Sequence, residues 1–201
     1  MDDRILTAVN GFARATPWLH GFILGYADYG VVLFVALLVA GWWSARRNGE
    51  GMAAALWAPP ATVLAVAVNQ PIVAAVGEPR PYTVLPHLLV LAAPTADPSF
   101  PSDHATMAGA VAVGLLLVDR RLGLVAVVAA LLMGFARVYI AAHYPQDVLV
   151  GFGVGAVTAV AGYALVRRPL TALVLRLQHT RWRPLLTACP APSSAQTASP
   201  G

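Results

Sequence analysis

Lysine is absent from this chain, and all thirteen of its basic residues are arginine. Cysteine is represented once, at Cys189, which excludes an internal disulfide and a cysteine zinc site. Charge is scarce: 11% of residues carry one, against 58% that are hydrophobic. That balance excludes an ordinary soluble protein, and 201 residues leave no room for a second domain. The net charge of +4 and pI near 9.7 raise the question of nucleic acid. The arginines are scattered as pairs between apolar runs, which is a membrane-topology pattern, so nucleic acid is not expected as a partner. A secretory leader is not expected either, because Asp2 and Asp3 stand where a basic region belongs and no apolar core follows at once.

What the chain has in quantity is apolar sequence of membrane-crossing length. The expected fold is an all-α integral membrane bundle of about five transmembrane helices, each near the ~20 residues that a bilayer core requires. The spans are expected at about 21–43, 51–76, 103–118, 122–139 and 146–166, the second kinked by Pro59, Pro60 and Pro71. Ahead of them, Ile5, Leu6, Val9 and Phe12 recur at helical spacing, as in a short helix lying in the interface over 1–18 and ended by Pro17. Gly109, Gly114, Gly151, Gly153 and Gly155 are expected to permit close helix contacts. Residues 1–168 read as the membrane domain; 169–201 read as a cytoplasmic amphipathic segment, with Leu170, Leu173, Val174 and Leu177, and a disordered tail from Pro190. Arg46-Arg47, Arg120-Arg121 and Arg167-Arg168 fall on one side if the spans alternate, and the positive-inside rule makes that side cytoplasmic.

Three polar clusters interrupt the apolar runs. Arg137, His143 and Asp147 lie close together, and the last two are four apart, so on a shared helix the carboxylate would reach the imidazole and fix its tautomer. The plain alternative is a helix-end histidine satisfied by a local aspartate. Phe100-Pro101-Ser102-Asp103-His104 sets a hydroxyl and a second histidine at the start of an apolar helix, where backbone N–H groups favour an anion; a simple N-cap would explain it equally well. Gly77-Glu78-Pro79-Arg80-Pro81 offers another arginine in a stiff turn, with a solvated surface charge as the alternative. The convergence of all three at segment ends favours a phosphate site. In the long 77–102 loop, His87 is a lesser candidate for touching substrate, and Asp28 is a carboxylate inside the first span.

Together these stretches resemble the signature motifs of the type 2 phosphatidic acid phosphatase superfamily of membrane lipid phosphatases. Arg137, His143 and Asp147 match the third motif, Pro101-Ser102-Asp103-His104 the second, and Arg80-Pro81 half of the first. The aspartate at 103 is similar to the BcrC-type undecaprenyl-diphosphate phosphatases. Where the family has a lysine seven residues before the arginine, this chain has Val73. The resemblance implies a nucleophilic His143 oriented by Asp147, a His104 acid and base, and a phosphate cradle of Arg80, Arg137, Ser102 and Asp103. It implies a phosphohistidine route on the outer face and a substrate drawn from the bilayer, such as a polyprenyl diphosphate. Alternatives are another lipid phosphate, such as phosphatidylglycerophosphate, phosphatidic acid or a prenyl-phosphosugar, or a non-catalytic protein that binds or moves lipid phosphates. No metal or cofactor is expected, since only His104 and His143 converge and neighbouring arginines would repel a cation.

Overall fold

A computed structural model describes residues 3–48 and 51–188, and every regular element within them is a helix. The helices are α1 (Asp3–Ala15), α2 (His20–Asn48), α3 (Met52–Val76), the single turn α4 (Pro81–Val84), α5 (Asp103–Leu116), α6 (Arg120–Tyr139), α7 (Pro145–Leu177) and α8 (Arg183–Leu186). Cys189 and the tail expected from Pro190 lie outside the described residues.

Of the five expected spans, four (α2, α3, α6 and α7) are by themselves long and apolar enough to cross a membrane. The exception is α5. Its 14 residues rise about 21 Å, short of the ~30 Å hydrocarbon core. It packs against α3, α6 and α7, and Ala105, Thr106, Ala108 to Ala112, Gly114 and Leu115 are buried on all its sides. A helix enclosed by protein has no need to match the bilayer.

Small residues let these helices approach. A Cβ on Gly155 would sit 2.1 Å from the Thr106 carbonyl oxygen, and one on Gly109 would sit 2.7 Å from that of Phe152. These are backbone contacts between α5 and α7 and cannot yield. Gly151 meets the Ser102 carbonyl in the same way, and Gly114 meets Ala58 of α3. Gly153 departs from the expectation: it has nothing within 4 Å and points away from the contact.

Packing adds detail at both ends of the chain. α1 buries Leu6, Asn10 and Ala13 against protein, while Ile5 and Phe12 stay exposed. The Asn10 amide pairs in both directions with the Leu89 backbone, at 2.8 and 3.0 Å. The first helix therefore braces the 85–92 segment as well as carrying an apolar outer face. At the other end, α7 does not stop near Val166 but continues through Arg167, Arg168 and Pro169 to Leu177. Val174 and Leu186 close an apolar cluster with Ala45, Met52 and Ala55, and that burial holds the extension against the α2–α3 end of the bundle.

Candidate active site

A helix ending sets the geometry. Arg137 lies in the last turn of α6, and the chain leaves that helix through Ala141 at φ +62°. Ala142 N–H donates to the Arg137 carbonyl at 3.1 Å and Ala141 N–H to that of Val138 at 3.0 Å, the bond pair of a Schellman motif. Glycine usually takes this position, since a Cβ there costs about 1–2 kcal/mol. Here the methyl of Ala141 is fully buried beside Leu6, Val138 and Val148. His143 N–H also reaches the Arg137 carbonyl, at 3.3 Å. The spacing from arginine to histidine is thus the length of one capped corner.

His143 is oriented from both sides. Its Nδ1 lies 2.8 Å from the Ser99 carbonyl oxygen, which can only accept, so Nδ1 carries the proton. Its Nε2 lies 3.3 Å from Arg80 Nη1 and 3.5 Å from Arg137 Nη2, which can only donate. The free lone pair of a neutral imidazole therefore faces two guanidinium groups. Burial holds the imidazolium below the usual histidine range; the two arginines push the same way, and Asp147 opposes them.

Asp147 is placed differently from the sequence expectation. α7 begins at Pro145, so His143 precedes the helix and the pair does not share a helical face. Asp147 Oδ2 stands 3.5 Å from Nδ1, farther than the Ser99 carbonyl. The fully buried carboxylate accepts from Ser99 Oγ–H and from Tyr144 N–H at 2.9 Å, and its backbone carbonyl accepts from Ser102 N–H at 3.1 Å. It fastens the α7 start, the 99–102 segment and the histidine loop together.

Arg80 is delivered by Gly77, whose φ of +61° ends α3 and turns the chain out; ahead of Pro81, Arg80 itself is extended. Its Nε donates to the Asp97 carbonyl at 2.9 Å and its Nη1 to that of Ala142 at 3.1 Å. Glu78 does not pair with it: the Glu78 carboxylate accepts from Gln146 Nε2 at 3.0 Å. Arg137 is held less firmly, with a buried Nε that has no partner among the described residues.

Arg80, Arg137, Asp103, His104 and His143 line one cleft of about 500 Å³, with Val73, Gln70 and Asp97 also on its walls. Val73 faces the cleft, as its spacing from Arg80 suggests. Ser102 does not line it. Fully buried, it caps α5 by accepting from Ala105 N–H at 3.5 Å. The Asp103 carboxylate is occupied by two amides, Asn69 Nδ2 at 2.7 Å and Gln70 Nε2 at 3.0 Å. His87 and Asp28 are outside the cleft lining, and the His87 carbonyl accepts from Arg14 Nη2. Sequence reasoning missed Ser99, whose contribution to His143 comes from a backbone carbonyl that no residue type advertises. Asn69 and Gln70 carried a weak signal, as adjacent amides inside an apolar span.

With this geometry in place, similarity to known proteins can be weighed. A family model described as the PAP2 superfamily matches residues 54–170. Undecaprenyl-diphosphatase BcrC of Bacillus subtilis (strain 168) is 30% identical over 188 residues, covering 88% of this chain and 91% of that protein. The crystal structure of Aquifex aeolicus LpxE superposes with a TM-score of 0.61 at 25% identity, covering 80% of this chain and 93% of that one. A PAP2-type phosphatidylglycerolphosphate phosphatase from Bacillus subtilis shares the fold with a TM-score of 0.56 at 18% identity, over 90% of this chain and 91% of that one.

Proposed function

The chain belongs to the PAP2 superfamily and is a multi-pass membrane lipid phosphatase, and from that premise we propose that it cleaves polyprenyl diphosphate to the monophosphate through a phosphohistidine. The observation that carries the chemistry is the unprotonated Nε2 of His143 facing Arg80 and Arg137. Nε2 attacks the terminal phosphorus, the bond to the bridging oxygen breaks, and that oxygen leaves on the lipid monophosphate, protonated by His104. His104 then takes a proton from water as the water attacks phosphorus, which releases inorganic phosphate and frees His143. The two guanidiniums match the charge on the equatorial oxygens through both steps. They supply the cationic charge that other phosphatases draw from metal ions, so the reaction is proposed to be metal-independent.

The substrate class is supported by the similarity to BcrC along nearly the whole of both chains. A 40% identity over 58 residues to the Lipid A 1-phosphatase of Rhizobium johnstonii favours a second reading, in which a different lipid phosphate is the substrate. Purified protein in detergent, given polyprenyl diphosphate, polyprenyl monophosphate, phosphatidylglycerophosphate and phosphatidic acid, is expected to show its highest kcat/KM on the diphosphate. EDTA is expected to leave that value unchanged. A preference for any of the other three lipids replaces the substrate assignment, and activity lost in chelator and restored by magnesium replaces the metal-free mechanism.

The catalytic end is proposed to face outward from a plasma membrane. Arg46, Arg47, Arg120 and Arg121 stand at the ends of α2 and α6 away from the cleft, as the positive-inside rule requires of a cytoplasmic end. After Cys189→Ser, a cysteine at exposed Ala96 should react with a membrane-impermeant thiol reagent in intact cells, and one at exposed His179 should not. The opposite labelling pattern would put the cleft in the cytoplasm.

A further inference from the structure

We propose that Asn69 and Gln70 are positioning residues that act through the Asp103 carboxylate to hold His104 at the depth its proton transfers need. This rests on the phosphatase reading above, in which His104 is the acid and base.

The ring of His104 has no hydrogen-bond partner among the described residues, although it lines the cleft. Its place is therefore set by the backbone of the first turn of α5. That turn is fastened from two directions. On the α7 side, Ser102 N–H donates to the Asp147 carbonyl at 3.1 Å. On the α3 side, Asn69 Nδ2 donates to the Pro101 carbonyl at 3.1 Å and to Asp103 Oδ1 at 2.7 Å, and Gln70 Nε2 donates to the same oxygen at 3.0 Å. Asn69 is fully buried, so its amide has no water to turn to. Asp103 immediately precedes His104, and a carboxylate gripped by two amides of another helix fixes both the height and the rotation of the turn. The bonds within the turn itself, from Ala105 N–H to Ser102 Oγ at 3.5 Å and from Thr106 N–H and Oγ1–H to the Ser102 carbonyl at 2.9 and 3.0 Å, shape it but tie it to no other helix. The α3 wall thus contributes neutral donors that hold a catalytic turn; one turn beyond them, Val73 leaves that wall apolar.

A misplaced acid should slow chemistry and leave binding alone. Gln70→Met keeps the exposed stem and deletes the donor; it is expected to lower kcat on polyprenyl diphosphate about tenfold, with KM within threefold. Asp103→Ala is expected to lower kcat about a hundredfold. In the Asp103→Ala background, Gln70→Met should have no further effect, because both act through one oxygen. Additive losses, or a loss confined to KM, overturn the clamp. A second readout separates positioning from general damage. p-Nitrophenyl phosphate releases a leaving group that needs no proton, so Gln70→Met should give a stoichiometric burst of p-nitrophenolate at the wild-type rate and then slow turnover. A burst reduced in amplitude would indicate a merely structural role. If wild type turns over the aryl phosphate but no lipid, the lipid assignment fails while the burst still decides the clamp. If wild type turns over neither, both fall together.

Discussion

His143→Ala is expected to reduce phosphate release by about four to six orders of magnitude, the scale seen when a covalent catalyst loses its nucleophile. Wild type quenched during turnover should carry acid-labile phosphate on the protein, and the variant should carry none. The fold should survive, since Asp147 keeps its bonds to Ser99 and Tyr144 without the imidazole. The pH profile adds a directional check. Only the neutral imidazole attacks, and burial with two adjacent guanidiniums depresses its proton affinity from the ordinary 6.5. His143 therefore remains a competent nucleophile as pH falls through 6.5 and is blocked by its own protonation only at the lower, depressed value. Wild-type-like turnover by His143→Ala would remove the phosphohistidine step.

Arg137→Met is expected to cost about 10²–10³-fold in kcat/KM, the loss typical of one preorganised donor to a developing anion. Its effect on stability should run the other way. Arg137 brings a cation into the bundle with a buried Nε that has no partner among the described residues, and such groups are costly to fold. Methionine fills similar space without that penalty, so Tm in detergent should hold or rise. Arg80→Met provides the contrast. Arg80 ties the loop at Asp97 to the corner at Ala142, so losing it should lower both activity and Tm. Equal falls in Tm for the two variants would contradict the assignment of Arg137 as the cation left free for phosphate.

The arginines and histidines of the cleft were legible because both residue types are conspicuous in a chain so apolar. Arg80, His104, Arg137 and His143 do meet at one cleft. The membrane helices were legible for the same reason, through length and hydropathy. Less visible was anything resting on backbone groups. The Ser99 carbonyl outcompetes Asp147 for His143 Nδ1, and no side-chain pattern reports a carbonyl's direction. α7 starts only at Pro145, which removes His143 from the helix on which its spacing to Asp147 is read. α5 showed a related limit: apolar length cannot distinguish a helix facing lipid from one wrapped by protein. Hydropathy likewise put α7's end at Val166, because it scores Arg167 and Arg168 as a boundary and does not see the cluster that Val174 joins.

The shortness of α5 has a consequence for the electrostatics of the cleft. α5 and α6 diverge from the same turn at Leu117 to Asp119, but one has 14 residues and the other 20. At 1.5 Å per residue their far ends differ in height by about 9 Å. His104, in the first turn of the shorter helix, therefore lies deeper than Arg137, in the last turn of the longer one. Arg137 and His143 sit well below the surface on the wall of this cleft, so a phosphate held there feels the guanidinium with less intervening salt than it would at an exposed site. Added salt, which readily masks the arginine pairs at the opposite end of the bundle, has less purchase on a cation enclosed by this cleft.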